Sequence, residues 1–461
     1  MRTMSVKEIR NRINGQLIQG SDEFLVNDIT YHQRKLGQGK LLFLREKSHI
    51  NWDVISNSTP CVIVTDTVYD KLKAIEKCTV IKVQDIERSF WRFVSSYRNQ
   101  FSIPVVAVTG TSGKTTTKDM IKHILSFDRN VTGTKTSANS RTHHLTYLLS
   151  IESNTDAAVF ETAVGAPGDV LSASRYFKPT IGIITNIGVT HLDGCKTPEA
   201  YFQAKAEMVQ ALSQKGTLII NADDANTRKI KLDGFQGKVL TFGITHHANF
   251  KASKIQYGYN GMKFALTFRS KTYSVFVPGY GVHQISNVLA AFAAAYEMGI
   301  SIEKSTKRIL SFRNLPAHLE CSKGLGGCII VDDTWNSNPI SLKAAFRVLN
   351  GIARGRKKIA LIGEINALGE LSLDIHKETG EMIAKNGVDV LITVGSMATE
   401  MAKQAVKTGL KGEVHSFPDI HGVYPLLEKM LDEKSILLIK CSASDHSIIN
   451  VKKKVKRLRP K

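Results

Sequence analysis

The run Gly110-Thr111-Ser112-Gly113-Lys114-Thr115-Thr116 combines the residue types that hold a phosphate group. Glycines let backbone N–H groups turn onto an anion, a lysine reaches the β- and γ-phosphates, and a hydroxyl can bind Mg²⁺. The sequence therefore predicts a nucleotide site formed by Gly110, Thr111, Ser112, Gly113, Lys114, Thr115 and Thr116. The alternative is an ordinary Gly/Ser turn, because the G-x-x-G-K-T spacing is shorter than the full Walker pattern.

The elements around this run are those that a phosphate loop needs. A β-branched strand, 105–108, precedes it, and apolar residues at helical spacing follow it, so a helix N-terminus would point at the anion. Further strands are predicted at 157–161, 181–185 and 217–220, each before helix-like sequence. This alternation indicates a parallel sheet of βαβ units.

The predicted sheet brings two possible metal ligands to the edge at which the phosphate loop lies. Glu161 ends one strand and His191 follows another, and ligands bind parallel sheets at the carboxyl ends of their strands. Both residues would therefore lie near Lys114 and could hold Mg²⁺ on the phosphates. Taken singly, each has an ordinary interpretation, as a solvated acid and as a structural hydrogen-bonding histidine.

The length of 461 residues suggests about three domains, which we predict at 1–100, 101–314 and 315–461. The first has buried strands and a helix at 85–98 but no acid–base pair, so we expect it to select a substrate. The third alternates strands and helices like a Rossmann domain, although it lacks G-x-G-x-x-G. Its strand-end segment 332–339 suits a ribose or polar substrate, with a helix-capping turn as the alternative.

Composition narrows the class of protein. The net charge of +21 raises nucleic acid as a partner, but the basic residues are dispersed apart from the 452–461 tail and lack interleaved aromatics. Small polyanionic substrates such as nucleotides are the favoured interpretation. With no apolar run of roughly 18 to 20 residues and no signal-peptide core, we expect a cytoplasmic protein without a membrane span. The six scattered cysteines are expected to be reduced core residues.

At these motifs the chain resembles the Mur ligase family. The phosphate loop matches the family's ATP loop, and later motifs follow in the family's order over nearly the whole chain: Asn186-Ile187-Gly188 with His191, Ala204-Lys205-Ala206-Glu207, His283 with Asn287, 332–339, and Gly363-Glu364 with His376. The resemblance implies an α/β fold of three domains, the Mur ligase architecture, with a central P-loop parallel-sheet domain and a C-terminal Rossmann-like domain.

The resemblance also implies a reaction. Family members are ATP-dependent acid–amino acid ligases that act through an acyl phosphate, and these motifs look most like those of members that add D-alanyl-D-alanine to a UDP-N-acetylmuramoyl tripeptide in peptidoglycan precursor synthesis. ATP and Mg²⁺ are the implied cofactors, the partners are small molecules, and a monomer is expected. The implied roles are catalysis by Lys114, Lys205 and His191, metal binding by Thr115, Glu161, His191 and a carbamylated Lys205, adenine or phosphate contact by Asn287, and ribose contact by Asp333.

Departures from the family's motifs keep other functions open. The usual Lys-Gly-Ser-Arg reads Lys440-Cys441-Ser442-Ala443, and the usual Asp-Ser-Arg falls at Asp28-Ile29-Thr30-Tyr31. A paralogous ligase that joins a different carboxylate and amine is one alternative, and an ATP-binding protein without catalysis is another. A P-loop motor ATPase is disfavoured because neither an Asp-ended Walker B strand nor an arginine finger can be placed.

Overall fold

Three separate main sheets organise the chain in the computed structural model, which describes residues 1–45, 49–188, 190, 192–212, 215–258, 261–314 and 316–456. Each sheet lies within one of the three predicted domains. The predicted three-domain α/β architecture is confirmed, whereas the domain boundaries near 100 and 314 stay a prediction.

The first unit contains a five-stranded sheet of order β2-β7-β6-β5-β4 and a two-stranded ribbon of β1 and β3. Its strands are β1 (Met4–Ser5), β2 (Gln16–Gln19), β3 (Leu25–Val26), β4 (Asp28–Thr30), β5 (Lys40–Phe43), β6 (Cys61–Thr65) and β7 (Cys78–Lys82). Its helices are α1 (Val6–Ile13), α2 (Trp52–Asn57), α3 (Asp70–Lys73) and α4 (Ile86–Arg98). Helix α4 begins where the Asp85 side chain accepts the Arg88 N–H, and its apolar face packs on the sheet.

The second unit is a nine-stranded sheet of order β16-β15-β14-β13-β12-β11-β8-β10-β9. Its strands are β8 (Val105–Thr109), β9 (Val131–Gly133), β10 (Ala157–Glu161), β11 (Ile181–Ile184), β12 (Thr217–Asn221), β13 (Lys238–Gly243), β14 (Phe250–Gly258), β15 (Gly261–Phe268) and β16 (Lys271–Pro278). Its helices are α5 (Lys114–Leu125), α6 (His144–Leu149), α7 (Asp169–Phe177), α8 (Leu192–Cys195), α9 (Pro198–Ala206), α10 (Met208–Ala211), α11 (Val282–Glu297) and α12 (Ile302–Ile309).

Alternating apolar runs between residues 249 and 278, on either side of Asn260-Gly261, predict an antiparallel hairpin insert, and the observed structure differs from this prediction in extent. Strands β14 to β16 are antiparallel to one another, as predicted, but β14 also pairs parallel with β13. The hairpin strands therefore continue the central sheet rather than forming a separate insert. The sequence could not show this because the join depends on pairing at the ends of β13 and β14, at Phe242–Phe250 and Gly243–Lys251.

The third unit is a six-stranded sheet of order β17-β18-β22-β19-β20-β21, in which only the β17–β18 pair is antiparallel. Its strands are β17 (Glu320–Lys323), β18 (Ile329–Asp333), β19 (Lys357–Ile362), β20 (Val390–Val394), β21 (Glu413–Phe417) and β22 (Ser435–Lys440). Its helices are α13 (Pro339–Ile352), α14 (Ser372–Asn386), α15 (Ser396–Lys407), α16 (Val423–Met430) and α17 (His446–Lys456). Buried side chains cover both faces of the sheet, as parallel strands require.

Both faces of the central sheet are covered as well, and this fixes the helix that follows the phosphate loop. Helix α5 and the alanine-rich α11 share a core on one face, while α9 and α10 lie on the other. No helix within the described residues is both long and apolar enough to cross a membrane.

Candidate active site

The phosphate loop connects β8 to α5 and is held from below by the loop that follows β11. The Thr111 N–H donates to the Asn186 carbonyl at 2.9 Å, and the Ser112 N–H donates to the Asn186 side-chain oxygen at 3.0 Å. The Ser112 carbonyl accepts from the Thr185 hydroxyl at 2.6 Å and from the Asn186 amide at 3.0 Å. These bonds fix the loop before any ligand arrives, so little ordering cost would remain for binding.

Two positions in the loop require glycine for steric reasons. A Cβ on Gly110 would lie 1.9 Å from the Thr185 hydroxyl oxygen, and one on Gly113 would lie 2.3 Å from the Asn287 side-chain oxygen. Gly113 also has φ +84° and immediately precedes α5. The first turn of α5 therefore starts at Lys114 with its N–H groups directed at the loop, which is the arrangement that binds an anion.

A carboxylate and a hydroxyl meet beside this loop. The Thr115 Oγ1 donates to Glu161 Oε2 at 2.8 Å, and the Asn139 amide donates to Glu161 Oε1 at 2.6 Å. Glu161 is 2% exposed at the end of β10, and it forms no ion pair with a described lysine or arginine. A buried carboxylate without a protein cation, next to a threonine hydroxyl, offers the oxygen ligands that Mg²⁺ prefers.

Lys205 reaches the same region from α9. Its Nζ lies 3.3 Å from Thr109 Oγ1 and 5.0 Å from the centre of the Tyr201 ring. The residue is 1% exposed, and burial, with the nearby charge of Lys114 second, holds the pKa of Lys205 well below its usual range. A lowered pKa raises the fraction of neutral amine, the form that can react with an electrophile such as CO₂.

The central and C-terminal units meet around a cavity of about 540 Å³ next to the phosphate loop. The central unit contributes Ser112, Gly113, Thr116, Asn287 and neighbouring residues, and the C-terminal unit contributes His318, Asp333, Asn336 and the start of α13. Asn338 Nδ2 lies 3.2 Å from Ser112 Oγ, so the two units touch at the loop itself. This volume falls in the range of small-molecule sites.

Most predicted site residues lie in or beside this cavity. Lys114 Nζ is 3.3 Å from the Thr111 carbonyl oxygen, and the Asn287 side-chain oxygen is 3.4 Å from Thr117 Oγ1. Asp333 lines the cavity, but its carboxylate already forms an ion pair of 2.6 Å with the buried Lys440. The predicted ligand role of His191 stays a prediction because this residue lies outside the described residues.

A second cavity, also of about 540 Å³, lies between the first and central units. We call it the arginine cleft, because Arg45, Arg141 and Arg175 line it together with Tyr31 and Trp91. The Arg175 guanidinium lies 3.5 Å from the centre of the Trp91 ring, and that of Arg45 lies 5.1 Å from the Tyr31 ring. Cations set against flat rings suit an anionic ligand that carries a ring of its own.

Sequence reasoning missed several residues of both sites. Asn139, which holds Glu161, and Tyr201, whose hydroxyl lies 3.2 Å from Thr111 Oγ1, were not chosen. Neither was the arginine cleft, whose lining comes from two separate parts of the chain, 31–91 in the first unit and 141–176 in the central unit. The basic tail at 452–461 was given no role from sequence, yet Lys452 and Lys456 lie 3.3 and 2.7 Å from the buried Asp332. Asn139 and Glu161 are 22 positions apart, so no local pattern links them.

The Mur ligase middle domain family matches residues 108–295, and the family described as Mur ligase, glutamate ligase domain, matches 319–443. The chain is 26% identical over 441 residues to a UDP-N-acetylmuramoyl-tripeptide–D-alanyl-D-alanine ligase of Bacillus subtilis, covering 95% of both chains.

Two solved structures share the fold over nearly their whole length. The structure of MurF from Acinetobacter baumannii aligns with a TM-score of 0.85 at 22% identity, covering 99% of this chain and all of the other. That of the MurF ligase from Thermotoga maritima in complex with ADP aligns with a TM-score of 0.77 at 19% identity, covering 93% and 97%.

Proposed function

This chain belongs to the Mur ligase family, and on that premise we propose that it is an ATP-dependent ligase that adds D-alanyl-D-alanine to a UDP-N-acetylmuramoyl tripeptide in peptidoglycan precursor synthesis. The observation that carries this proposal is the phosphate loop with the Thr115–Glu161 pair beside a cavity that the central and C-terminal units share. The full-length similarity to the Bacillus subtilis ligase supports the choice of substrates.

The first step is phosphoryl transfer to a carboxylate. An oxygen of the tripeptide's terminal carboxylate attacks the γ-phosphorus of ATP, the bond from that phosphorus to the β–γ bridging oxygen breaks, and ADP leaves behind an acyl phosphate. Negative charge is spread over the oxygens of the phosphoryl group during its transfer. The role of the protein is therefore to position this group and to neutralise its charge. Lys114 and the first N–H groups of α5 are the groups placed to do this.

The second step forms the amide. The amine nitrogen of D-alanyl-D-alanine attacks the acyl carbon, a tetrahedral intermediate forms, inorganic phosphate leaves, and the nitrogen loses a proton. Water would destroy the acyl phosphate, so the reaction needs a closed site. The contact between Asn338 and Ser112 places the C-terminal unit directly over the phosphate loop, where it would exclude solvent.

The residues around Glu161 fit the magnesium that the family implies. Among the described residues no three His, Cys, Asp or Glu side chains form a metal cluster, so the ion would bind Glu161, the Thr115 hydroxyl, phosphate oxygens and water, with Lys205 and His191 as the further predicted ligands. Mg²⁺ commonly binds in this way, through one or two carboxylates and the substrate. When bound, it would supply charge neutralisation on the phosphates.

Four further residues complete this proposal, two as metal ligands (Lys205 and His191) and two as nucleotide contacts (Asn287 and Asp333). The buried amine of Lys205, with its lowered pKa, suits carbamylation, which would turn a cation into an anionic ligand. Asn287 and Asp333 line the cavity where adenine and ribose would lie, and His191 remains a predicted ligand. The ion pair with Lys440 leaves the Asp333 carboxylate fixed in direction, with its second oxygen available to a hydroxyl.

The arginine cleft is the place we propose for the acceptor's anionic UDP part. Arg45 and Arg141 are paired with Glu87 and Asp169, whereas Arg175 forms no ion pair with a described acidic residue, so Arg175 is the guanidinium that would meet a phosphate directly. The rings of Tyr31 and Trp91 offer surfaces for a base. The cleft lies at the junction of the first and central units, so an acceptor bound there would extend toward the phosphate loop.

A second candidate is a ligase of the same chemistry with a different amine substrate. The segment 440–445 reads Lys-Cys-Ser-Ala-Ser-Asp, and its one basic residue, Lys440, is already paired with Asp333. A dipeptide carboxylate would therefore need another cation. An amine without a carboxylate would not.

Phosphate release with product mass separates these candidates. ATP, Mg²⁺, UDP-N-acetylmuramoyl tripeptide and D-alanyl-D-alanine should give one phosphate per UDP-pentapeptide. Release with the same tripeptide but only with another amine would favour the second candidate. ATP binding without release in any pair would favour a non-catalytic protein and contradict both.

A further inference from the structure

Lys118 is a fully buried lysine, one turn beyond the phosphate loop, that the proposed reaction does not use. It is 0% exposed, yet its ammonium has three partners. Its Nζ donates to the carbonyl oxygens of Thr134 at 3.0 Å and Thr136 at 2.7 Å, and it lies 3.0 Å from Asp119 Oδ1. All three N–H donors of the ammonium are thereby satisfied.

The two carbonyls belong to the segment that reaches Glu161. Thr134 follows β9, and its hydroxyl oxygen accepts the Glu161 N–H at 2.9 Å. Five residues later the Asn139 amide donates to Glu161 Oε1 at 2.6 Å. The segment 134–139 thus contacts Glu161 at both of its ends, and Lys118 holds it near the middle.

The middle of the segment adopts an unfavourable backbone conformation that other contacts must stabilise. Thr136 has φ +49°, in the left-handed region that β-branched residues rarely adopt. Such a conformation persists only where surrounding contacts determine it. The 2.7 Å bond from Lys118 to the Thr136 carbonyl is a contact of this kind, and it originates on the helix that carries the phosphate loop.

We infer that Lys118 is a positioning residue that ties the phosphate-loop helix to the 134–139 segment and thereby fixes the Glu161 carboxylate beside Thr115. The inference rests on the proposed function in one respect, namely that Glu161 receives the magnesium of the nucleotide. Lys118 itself touches neither nucleotide nor metal in this scheme.

The test compares K118M with K122M. Both substitutions lie on α5, remove one positive charge and keep a long, unbranched apolar side chain. The Lys122 side chain forms no hydrogen bond or ion pair with the other described residues, whereas its backbone carbonyl accepts the Ser126 N–H. Calorimetry measures ADP affinity with Mg²⁺ and, separately, in EDTA. We expect K118M to weaken ADP binding at least tenfold with Mg²⁺ and less than threefold in EDTA, while K122M changes neither more than threefold.

Backbone hydrogen exchange in the nucleotide-free protein provides a readout that is independent of the reaction. Exchange across 134–140 should accelerate at least tenfold in K118M and stay unchanged in K122M. Adding T136G to K118M should recover part of the Mg²⁺-dependent affinity, because glycine adopts φ +49° without strain. N139A should reproduce the Mg²⁺-specific loss and add little to K118M, since both act on one path.

The outcomes separate the inference from the proposed function. Equal loss with Mg²⁺ and in EDTA, or no loss and unchanged exchange, would overturn the inference. Should K118M not fold, K118Q carries the same comparison, because it keeps an amide donor at the buried position. Wild-type protein that binds ADP no better with Mg²⁺ would remove the metal from Glu161 and contradict the proposed function, whatever the exchange rates show.

Discussion

The nucleotide cavity and the arginine cleft have the same volume, about 540 Å³, but are built in different ways. The phosphate loop offers backbone N–H groups that neighbouring amides and hydroxyls hold in place, and it needs only one lysine, Lys114. The arginine cleft offers side chains instead, three guanidinium groups of which those of Arg45 and Arg175 lie over aromatic rings. Backbone donors are fixed by the fold, whereas a side-chain site can change its ligand by substitution.

This difference explains why the resemblance to the family is firm at one site and loose at the other. A loop that binds through its backbone constrains sequence tightly, since glycine is needed wherever a Cβ would collide. A cleft that binds through side chains constrains charge and ring surface, and different positions can supply them. The chain can therefore retain ATP chemistry while its acceptor end diverges. The predictions that follow test this division.

The largest effect is expected from Lys114→Ala. The variant removes the one charged side chain of the phosphate loop, so kcat/KM should fall about 10⁴-fold while the melting temperature stays unchanged. Phosphate release under saturating acceptor measures the rate. Lys122→Ala, on the same helix, is the control and should keep wild-type turnover. A Lys114→Ala enzyme with more than a tenth of wild-type activity would take the loop out of the mechanism.

Lys205→Ala should cost about 10³-fold in kcat, because the variant removes both the buried amine and any carbamate formed on it. Acetate or formate added at high concentration should restore part of the rate by supplying a small carboxylate at the same place. The check is turnover of the variant across an acetate titration, with Lys205→Arg as a variant that cannot accommodate the anion. Rescue in both variants would argue against a site-specific carboxylate.

Gly113→Ala is expected to raise the KM for ATP about 10²-fold. Its new methyl group would lie 2.3 Å from the Asn287 side-chain oxygen and distort the loop. The matched control is Gly355→Ala, since Gly355 has φ +81° but nothing within 4 Å of an added Cβ. In both variants alanine would adopt a positive φ, at a cost of about 1 kcal/mol. Only in Gly113→Ala does the added methyl group also collide with a neighbouring side chain. A Gly113→Ala protein with the same KM for ATP as Gly355→Ala would show that the loop accommodates the methyl group and that the collision does not matter.

The same division describes what the sequence could predict. The strand, loop and helix around Gly110 to Thr116 are contiguous, so local residue types were enough to place the phosphate site. Glu161 was also placed, because the carboxyl ends of parallel strands meet at one edge of a sheet. The helix predicted at 85–98 followed from the apolar residues on one of its sides, and α4 (Ile86–Arg98) lies there.

What the sequence could not predict depends on contacts between distant segments. Lys118 looked like an ordinary helical lysine, because nothing local shows that Thr134 and Thr136 lie against it. The ion pair of Asp333 with Lys440 joins two strands more than 100 positions apart. It fixes the orientation of the carboxylate that was predicted to contact the ribose. The continuation of the central sheet into β14 to β16 was missed for the same reason.

The smallest effect concerns the arginine cleft and bears most directly on the acceptor. Arg175 is exposed, lies over Trp91, and forms no ion pair with a described acidic residue, so Arg175→Gln should leave stability unchanged. Losing one charge-assisted contact to a phosphate should raise the KM for the UDP-linked acceptor about tenfold and leave the KM for ATP unchanged. Steady-state kinetics with each substrate varied in turn measures both.

Arg92→Gln is the matched control for this variant, because Arg92 is exposed on α4 next to Trp91 but does not line the cleft. If both variants changed the acceptor KM alike, the effect would come from the overall positive charge of the protein rather than from a built site. If Arg175→Gln raised the KM for ATP instead, the two cavities would not be separate in function. A change confined to the KM for the acceptor would show that side chains of the arginine cleft determine acceptor binding. Substitutions there could then alter the acceptor without disturbing the phosphate loop.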